Sequence, residues 1–336
     1  MKLFVHKFNS KKFSKLVLVP LALLLASCST GTGSSSKKSS VSPKGSPILA
    51  PKLISRVSVK QVGQLPTPIS RPVVLPFGSK ALIFGGLMSQ GSAQGIFSFN
   101  LKNNKLSKVG SLVRPTHDAA GAFLGKSFFV FGGGSNSVYS SVQCFSPPSR
   151  VSSICSHLPT PRADLSSVKI HNSAFVLGGY SGSNFSSSVL KTTNGRSFQK
   201  VGNLSFPVRY AAVAGIGHYI YIFGGLGASG ATSKVQVFNT VTGQDRIIGN
   251  LPFVYDHGQA AVINKEILLI GGRISGSFSN KVLAVIPGQT QTKQVGTLPL
   301  AISDSGVSVV GNKIIVIGGE NTSVVNSVIE LTPISK

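Results

Sequence analysis

Short apolar stretches of about five residues, separated by glycine-rich turns, recur along most of this chain. One such stretch ends in Gly-Gly, as at residues 82–86 and 221–225, and it occurs six times. The first glycines of these pairs follow one another at intervals of 47, 46, 46, 47 and 47 residues: Gly85, Gly132, Gly178, Gly224, Gly271 and Gly318. Apolar runs of this length indicate buried β-strands. Their fixed period indicates a repeated structural unit.

A second marker keeps the same period. It reads Val/Ile-Gly-x-Leu and begins at Val62, Val109, Val201, Ile248 and Val295, with a degenerate copy at Cys155. Between the two markers lie two further strand-like stretches, such as residues 235–238 and 245–248 in the fourth unit. Four short strands per unit, joined by turns, predict one blade of a β-propeller for each repeat.

The Gly-Gly strand, the period of about 47 residues and the lead-in Leu158-Pro159-Thr160-Pro161-Arg162 resemble kelch repeats. The resemblance covers residues 54–333. It implies an all-β, six-bladed kelch-type β-propeller with four antiparallel strands in each blade. Kelch blades usually carry a Trp on the outer strand, but this chain has none, so we expect Phe198 and Ile247 to fill that space.

The sixth unit ends before a fourth strand, since residues 327–332 form only its third. Residues 55–65, at the other end of the repeats, carry the fourth-strand marker Val62-Gly63-Gln64-Leu65. We therefore predict that this N-terminal strand completes the last blade and closes the ring. Closure would remove an open sheet edge, which otherwise favours aggregation.

The first 28 residues have the pattern of an export signal. Five lysines and no acid precede an apolar core at residues 16–26, which is shorter than a membrane span. Leu25-Ala26-Ser27-Cys28 resembles a bacterial lipobox, in which the cysteine is lipidated. We predict a lipoprotein signal peptide at 1–27, lipidated Cys28 with a Ser/Gly/Lys/Pro-rich tether at 28–53, and the propeller at 54–336. An ordinary signal peptide cut nearby, or a buried strand, is the alternative.

Charge is sparse and strongly one-sided, with 33 Lys and Arg against 8 Asp and Glu, a net charge of +25. For an extracytoplasmic lipoprotein of the bacterial cell envelope, we expect attraction to anionic surfaces such as lipid or wall polymer. Nucleic acid is not expected, because the basic residues lack interleaved aromatics for base stacking. So few carboxylates also predict that the fold tolerates acid, since few ionisations are lost as pH falls.

Two cysteines remain in the predicted mature domain, Cys144 and Cys155, on what should be adjacent strands of one hairpin. They form either a disulfide or two buried apolar side chains. Neither has metal-ligand spacing, and no CxxC occurs. Residues 225–230 fit GxGxxG, but a strand rather than a helix follows, so we dismiss a dinucleotide site. We expect no metal and no cofactor.

Candidate binding residues occupy one place in the repeat. Four of the five Asp lie fourteen or fifteen residues before the first glycine of a Gly-Gly pair, where the chain reaches the innermost strand. In kelch proteins this rim and the loops after Gly-Gly line the mouth of the central channel. The resemblance therefore implies ten candidates: Arg71, His117, Asp118, Arg162, Asp164, Arg209, Tyr210, Asp256, His257 and Asp304. The alternative is that these side chains pair with the next blade and hold the ring together.

The six residues fourteen positions before the glycines are Arg, Asp, Asp, Tyr, His and Asp, and this variety favours recognition of an asymmetric ligand. We therefore expect a monomeric binding or scaffolding module, anchored to a membrane by lipid, for a protein or glycan of the envelope. The alternative is a carbohydrate-modifying enzyme of the sugar mutarotase or epimerase type, with Asp and His as acid and base.

Overall fold

The computed structural model describes residues 53–335, which form β-strands, turns and no α-helix. No helix in this segment is long and apolar enough to cross a membrane. The predicted signal peptide, Cys28 and the tether up to residue 52 lie outside the described residues. The described strands form six antiparallel four-stranded sheets, one for each repeat, as the sequence predicts.

The strands are numbered by blade and given from the axis outward. The inner strands of blades 1 to 6 are Val73–Phe77, Ala120–Leu124, Ser166–Ile170, Ala212–Ile216, Gln259–Ile263 and Gly306–Val310. The second strands, which end in Gly-Gly, are Lys80–Phe84, Ser127–Phe131, Ser173–Leu177, Tyr219–Phe223, Glu266–Ile270 and Lys313–Ile317. The third strands are Gly95–Asn100, Ser141–Phe145, Ser188–Thr192, Lys234–Asn239, Lys281–Val285 and Ser327–Ser335. The outer strands are Lys105–Ser111, Ser153–His157, Gln199–Asn203, Asp245–Asn250, Lys293–Thr297 and Ile54–Gln64.

The core lies between the faces of neighbouring blades. The last four residues of each second strand are buried, because both faces of that strand pack against an adjacent sheet. Between blades 1 and 2 the contact is aromatic, with the Phe84, Phe128 and Phe145 rings 5.5 to 6.4 Å apart. Each junction therefore buries apolar surface of its own, as expected for a repeat fold.

The ring is closed by the N-terminal strand. Ile54–Gln64 pairs antiparallel with Ser327–Ser335 and forms the outer strand of blade 6, which confirms the closure predicted from residues 62–65. Each inner strand contacts the inner strands of both neighbouring blades, and blade 6 contacts blade 1 in the same way. Every blade of the described segment therefore has a neighbour on both sides.

The Gly-Gly pairs mark the closest approach between blades. The second glycine donates its N–H to a backbone carbonyl in the segment leading into the next blade, at 2.8–2.9 Å in all six cases. The acceptors are the carbonyls of Thr116, Arg162, Val208, Tyr255, Ile302 and Ile69. A Cβ on the first glycine would collide with the same carbonyl, and both glycines have positive φ. Only glycine fits this contact, so the repeated pair has a structural role.

Two further sequence predictions concern the outer part of the blades. Cys144 and Cys155 lie on paired strands of blade 2 and form a disulfide, with Cα atoms 5.9 Å apart. Phe198 packs edge-on against Phe131, as expected for a replacement of the missing Trp. The expectation for Ile247 was wrong, because its side chain is 45% exposed on the outer strand of blade 4. Phe238, on the third strand of that blade, is fully buried instead.

The closure can be tested at Val57, which is buried between blades 5 and 6. A carboxylate there would have no partner, so Val57→Asp is expected to lower the free energy of unfolding by at least about 3 kcal/mol. The neighbouring exposed Ser58 is the matched control, and Ser58→Asp should change stability by about 0.5 kcal/mol or less. Urea unfolding followed by fluorescence or circular dichroism measures both. Equal effects of the two substitutions would contradict closure by this strand.

Candidate ligand-binding site at the axial mouth

Six residues at the mouth of the ring share an unusual backbone conformation. Their φ angles lie between 52° and 57°, in the left-handed region that residues other than glycine rarely adopt. They are the residues fourteen positions before the first glycines: Arg71, Asp118, Asp164, Tyr210, His257 and Asp304. A conformation that costs energy at six equivalent places persists only where the surrounding structure enforces it.

The enforcing interaction is a circle of backbone hydrogen bonds around the axis. Each bond runs from the N–H of one of these residues to the carbonyl of its counterpart in the preceding blade, from Asp164 to Asp118 at 2.9 Å and so on to Arg71 and Asp304 at 2.6 Å. Five such bonds link the six described residues. The backbone therefore joins five of the six neighbouring pairs of blades here, whichever side chain each position carries, and the Arg71–Asp118 ion pair lies between blades 1 and 2.

The side chains of these six residues converge on one central cavity of about 440 Å³. Small and apolar residues in or directly before the inner strands form much of its walls, among them Ala119, Gly121, Ala211, Val213 and Ala260. The cavity thus carries most of its charged groups at the mouth, while Lys169 lines it toward the opposite face.

Arg71 lies at the centre of the charged end. Its guanidinium is 3.3 Å from an Asp118 carboxylate oxygen and 3.6 Å from one of Asp304, in the two neighbouring blades. It also reaches Glu320 at 3.1 Å and lies over the ring of Tyr210, 5.8 Å from its centroid. Burial alone would lower the pKa of Arg71, but the surrounding carboxylates raise it. Arg71 is therefore cationic while four-fifths of its side chain is shielded from water.

A second group of contacts lies across the mouth. Arg209 pairs with Asp164 at 3.0 Å and lies over the Tyr180 ring, 5.1 Å from its centroid. Tyr210 stacks on His257 with ring centroids 3.9 Å apart, and His257 Nδ1 lies 2.5 Å from an Asp256 oxygen. The Arg209 side chain is 32% exposed, so it is held in place from below yet open to a ligand.

Burial is the largest influence on the pKa of two carboxyl groups at the mouth, Asp118 and Asp304. It raises the pKa of Asp118 to about 8, against the opposing attraction of Arg71 and with help from Asp164 and Asp304. Burial also raises the pKa of Asp304, although His257 and Arg71 oppose it. Burial, followed by the charge of Arg71, lowers the pKa of His117. The mouth thus holds a carboxyl that changes charge near neutral pH.

The structure brings together nine of the ten predicted residues at this end of the ring. Arg162 is the exception, and its prediction as a residue of the channel mouth was wrong. Its side chain is 1% exposed and donates to the carbonyl and hydroxyl of Ser188, on the third strand of blade 3. Burial lowers the pKa of Arg162 to about 10. This arginine fills the junction between blades 2 and 3 and is inaccessible to a ligand.

Sequence reasoning missed two charged residues of the mouth, Arg273 and Glu320. Both follow directly after a Gly-Gly pair, where their backbones bridge to Asp256 and Ser303. Arg273 lies 3.7 Å from Glu320 and 5.2 Å from the centroid of the Phe278 ring. Counting forward from each glycine pair, as well as backward, would have found them. The residues that directly follow the six Gly-Gly pairs are Leu87, Gly134, Tyr180, Leu226, Arg273 and Glu320.

The mouth gathers most of the acidic groups of a basic protein. Five of the eight Asp and Glu lie here: Asp118, Asp164, Asp256, Asp304 and Glu320. They hold three arginines, Arg71, Arg209 and Arg273. No three His, Cys, Asp or Glu converge as a metal site among residues 53–335. The GxGxxG segment forms a two-residue hairpin of Leu226–Gly227 with Gly230–Ala231 rather than a helix.

Comparison with known proteins agrees with this architecture. The kelch motif family model matches residues 207–244, which run from the lead-in of blade 4 through its third strand. The described residues therefore form a six-bladed propeller, and blade 4 carries a kelch motif.

The solved structure described as "Structure of YjhT" aligns with a TM-score of 0.71 at 17% identity. The alignment covers 81% of this chain and 99% of that one. At this identity the likeness concerns the fold alone. No curated protein matches the sequence.

The raised pKa of Asp118 predicts how stability depends on pH. Between the usual pKa of about 4 and the folded-state pKa of about 8, the native state holds a proton that the unfolded state has released. The free energy of unfolding should therefore fall as pH rises through this interval, by at most about 1.4 kcal/mol per pH unit. Below it, stability should be fully retained, in line with the predicted acid tolerance.

Urea unfolding at a series of pH values measures how steeply the free energy of unfolding falls with pH, and Asp118→Asn should make this slope flatter. Glu330→Gln, which removes a carboxylate outside the mouth, is the control and should leave the slope unchanged. Stability that instead collapses as pH falls toward 4 would contradict both the assignment and the acid tolerance.

Proposed function

We propose that this protein is a binding module of the bacterial cell envelope, anchored outside the cytoplasm by lipid at Cys28, and that the axial mouth recognises a protein or glycan. The observation that carries the proposal is the arrangement of Arg71, Arg209 and Arg273. Each is paired to a buried or half-buried carboxylate and remains partly exposed at one opening.

This arrangement favours binding because the cationic donors are fixed before a ligand arrives. An arginine held by a carboxylate and an aromatic ring loses little side-chain freedom on binding, so more of its interaction energy appears as affinity. Tyr180 and Phe185, beside Arg209, add flat apolar surface. The Ser181–Asn184 loop adjoining them supplies hydroxyl and amide groups. Charged donors, aromatic faces and small polar groups in one place suit a polar ligand of irregular shape.

The backbone circle supports a binding role for the side chains at its centre. Since N–H to carbonyl bonds link neighbouring blades, ring closure does not require Arg, Asp, Tyr or His at these positions. The side chains at the six positions can therefore differ from one another, and they do. An asymmetric ring of this kind matches a ligand in one orientation.

One observation favours a second candidate, a carbohydrate-modifying enzyme of the mutarotase or epimerase type. The Asp118 carboxyl, with a pKa of about 8, lies 3.4 Å from His117 Nε2 at the cavity. A group that ionises near neutral pH is suited to general acid–base catalysis. Arg71 would orient the sugar, while Asp118 and His117 exchange protons with it.

A crosslinking capture from the native envelope tests the binding function. The full-length protein is compared with an Arg209→Ala, Arg273→Ala variant and with a Lys200→Ala, Arg246→Ala control, which removes the same charge from exposed outer strands. The mouth variant should bind the recovered protein or glycan at least about tenfold more weakly, because two charge-assisted contacts are lost. The control should bind as the native protein does.

Equal recovery by all three folded proteins would contradict recognition at the mouth. The same preparations are incubated with reducing sugars while anomer exchange is followed by NMR. Exchange faster than the spontaneous rate, abolished by Asp118→Asn, would establish the enzyme instead.

A further inference from the structure

The mouth gathers carboxyl groups, whereas the opposite face of the ring carries exposed lysines. Here each inner strand turns into the Gly-Gly strand, for example at Gly125–Lys126 and Asn264–Lys265. Exposed lysines lie on it, and five of them together define the basic face: Lys80, Lys102, Lys126, Lys169 and Lys265. Lys102 belongs to it because it lines one surface cavity with Gly78 and Gly311, which lie in two of these turns.

Within residues 53–335, no free carboxylate balances these lysines. The three acids outside the mouth are each engaged: Glu266 is buried, Glu330 pairs with Lys313 at 2.8 Å, and Asp245 accepts from the N–H of Ser205. Acids and lysines are thus separated along the axis of one ring. A surface of single sign attracts a polyanion over distances of about a Debye length.

Aromatic side chains accompany the lysines. Phe77, at the end of the inner strand of blade 1, is 38% exposed, and Tyr219, at the start of the Gly-Gly strand of blade 4, is 43% exposed. Both lie at turns of the basic face. Aromatic rings among Lys residues are typical of surfaces that rest at the headgroup level of a membrane.

The chain also leaves the ring at this face. The N–H of Ile54, the first residue of the N-terminal strand, donates to Glu266 at 2.5 Å, beside the Asn264–Lys265 turn. Residues 28–52 precede it and include Lys37, Lys38, Lys44 and Lys52. The predicted tether therefore joins the ring at the basic face, and a lipid anchor at Cys28 would connect to the ring through it.

We propose that the basic face docks on the anionic headgroups of the lipid bilayer in which the protein is anchored, so that the mouth points away from the membrane. This inference rests on the lipid anchor of the proposed function but is independent of what the mouth binds. Lys80, Lys102, Lys126, Lys169 and Lys265 supply the charge, while Phe77 and Tyr219 sit among the headgroups. Docking by this face would fix the orientation of the ring relative to the bilayer.

Fluorescence quenching on vesicles tests the orientation with the full-length lipidated protein. A fluorophore is attached at Asn172→Cys, in a turn of the basic face, or at Ser183→Cys, in a mouth loop; both positions are exposed. The vesicles contain phosphatidylcholine, with or without phosphatidylglycerol, and a headgroup-labelled quencher. Quenching should be stronger at residue 172 than at residue 183, and the difference should require phosphatidylglycerol and disappear at high salt.

Matched charge variants separate this face from net charge. Removal of four charges from the basic face should abolish the difference in quenching between residues 172 and 183. The variant combines Lys80→Gln, Lys126→Gln, Lys169→Gln and Lys265→Gln. The control removes the same charge from exposed outer-strand residues and should keep it: Lys60→Gln, Lys108→Gln, Lys200→Gln and Arg246→Gln. Equal quenching at both positions, or loss with both variants, would overturn docking by this face.

Two further outcomes are distinguishable. If the native protein fails to float with vesicles of either composition, the lipid anchor of the proposed function is wrong, and with it the docking. If soluble poly(glycerol phosphate) removes the difference at the phosphate concentration of the lipid, the face recognises a phosphate polymer rather than the bilayer, which overturns the proposal.

Discussion

The hydrogen bond from the second glycine of each Gly-Gly pair to a carbonyl of the next blade is the interaction on which the ring depends. It recurs six times, and it requires two backbones to approach without a Cβ between them. Because the acceptor lies shortly before the inner strand, the bond also fixes where the chain reaches the axis. The loops after Gly-Gly are thereby placed over the mouth, so the structural contact and the candidate site are one construction.

The backbone hydrogen bonds between the six residues with positive φ also hold the blades together at the axis. They bear on whether the residues of the mouth serve to close the ring or to bind a ligand. The backbone bonds contribute to closure of the ring, which leaves the side chains at these positions available for the ligand recognition proposed above. The backbone carries the repetition, which is why all six φ angles agree, while the side chains differ from blade to blade. Arg71 pairs with Asp118, Asp304 and Glu320. This pairing offsets the desolvation of charges at a largely buried position, because an unpaired charge there would destabilise the fold.

Charge is distributed along the axis rather than around it. The chain is strongly basic, yet five of its eight carboxylates meet at one end, while exposed lysines occupy the turns at the other. This follows from strand direction: lead-in segments and post-glycine loops share one face, and the turns into the second strands share the opposite face. A propeller anchored from the lysine side would present its arginines to the surroundings.

The sequence by itself determined the repeat, the four strands of each blade, the closure of the ring by the strand that carries Val62-Gly63-Gln64-Leu65, and nine of the ten residues at the mouth. It did so because periodic spacing places equivalent residues at equivalent points of a ring. Only the tertiary structure decided the rest. Arg162 proved buried and Ile247 exposed, since burial depends on which neighbouring blade covers a side chain. Arg273 and Glu320 joined the site through pairing between distant blades. The raised pKa of Asp118 likewise arises from burial among charges that lie more than forty residues apart in sequence and meet only at the axis.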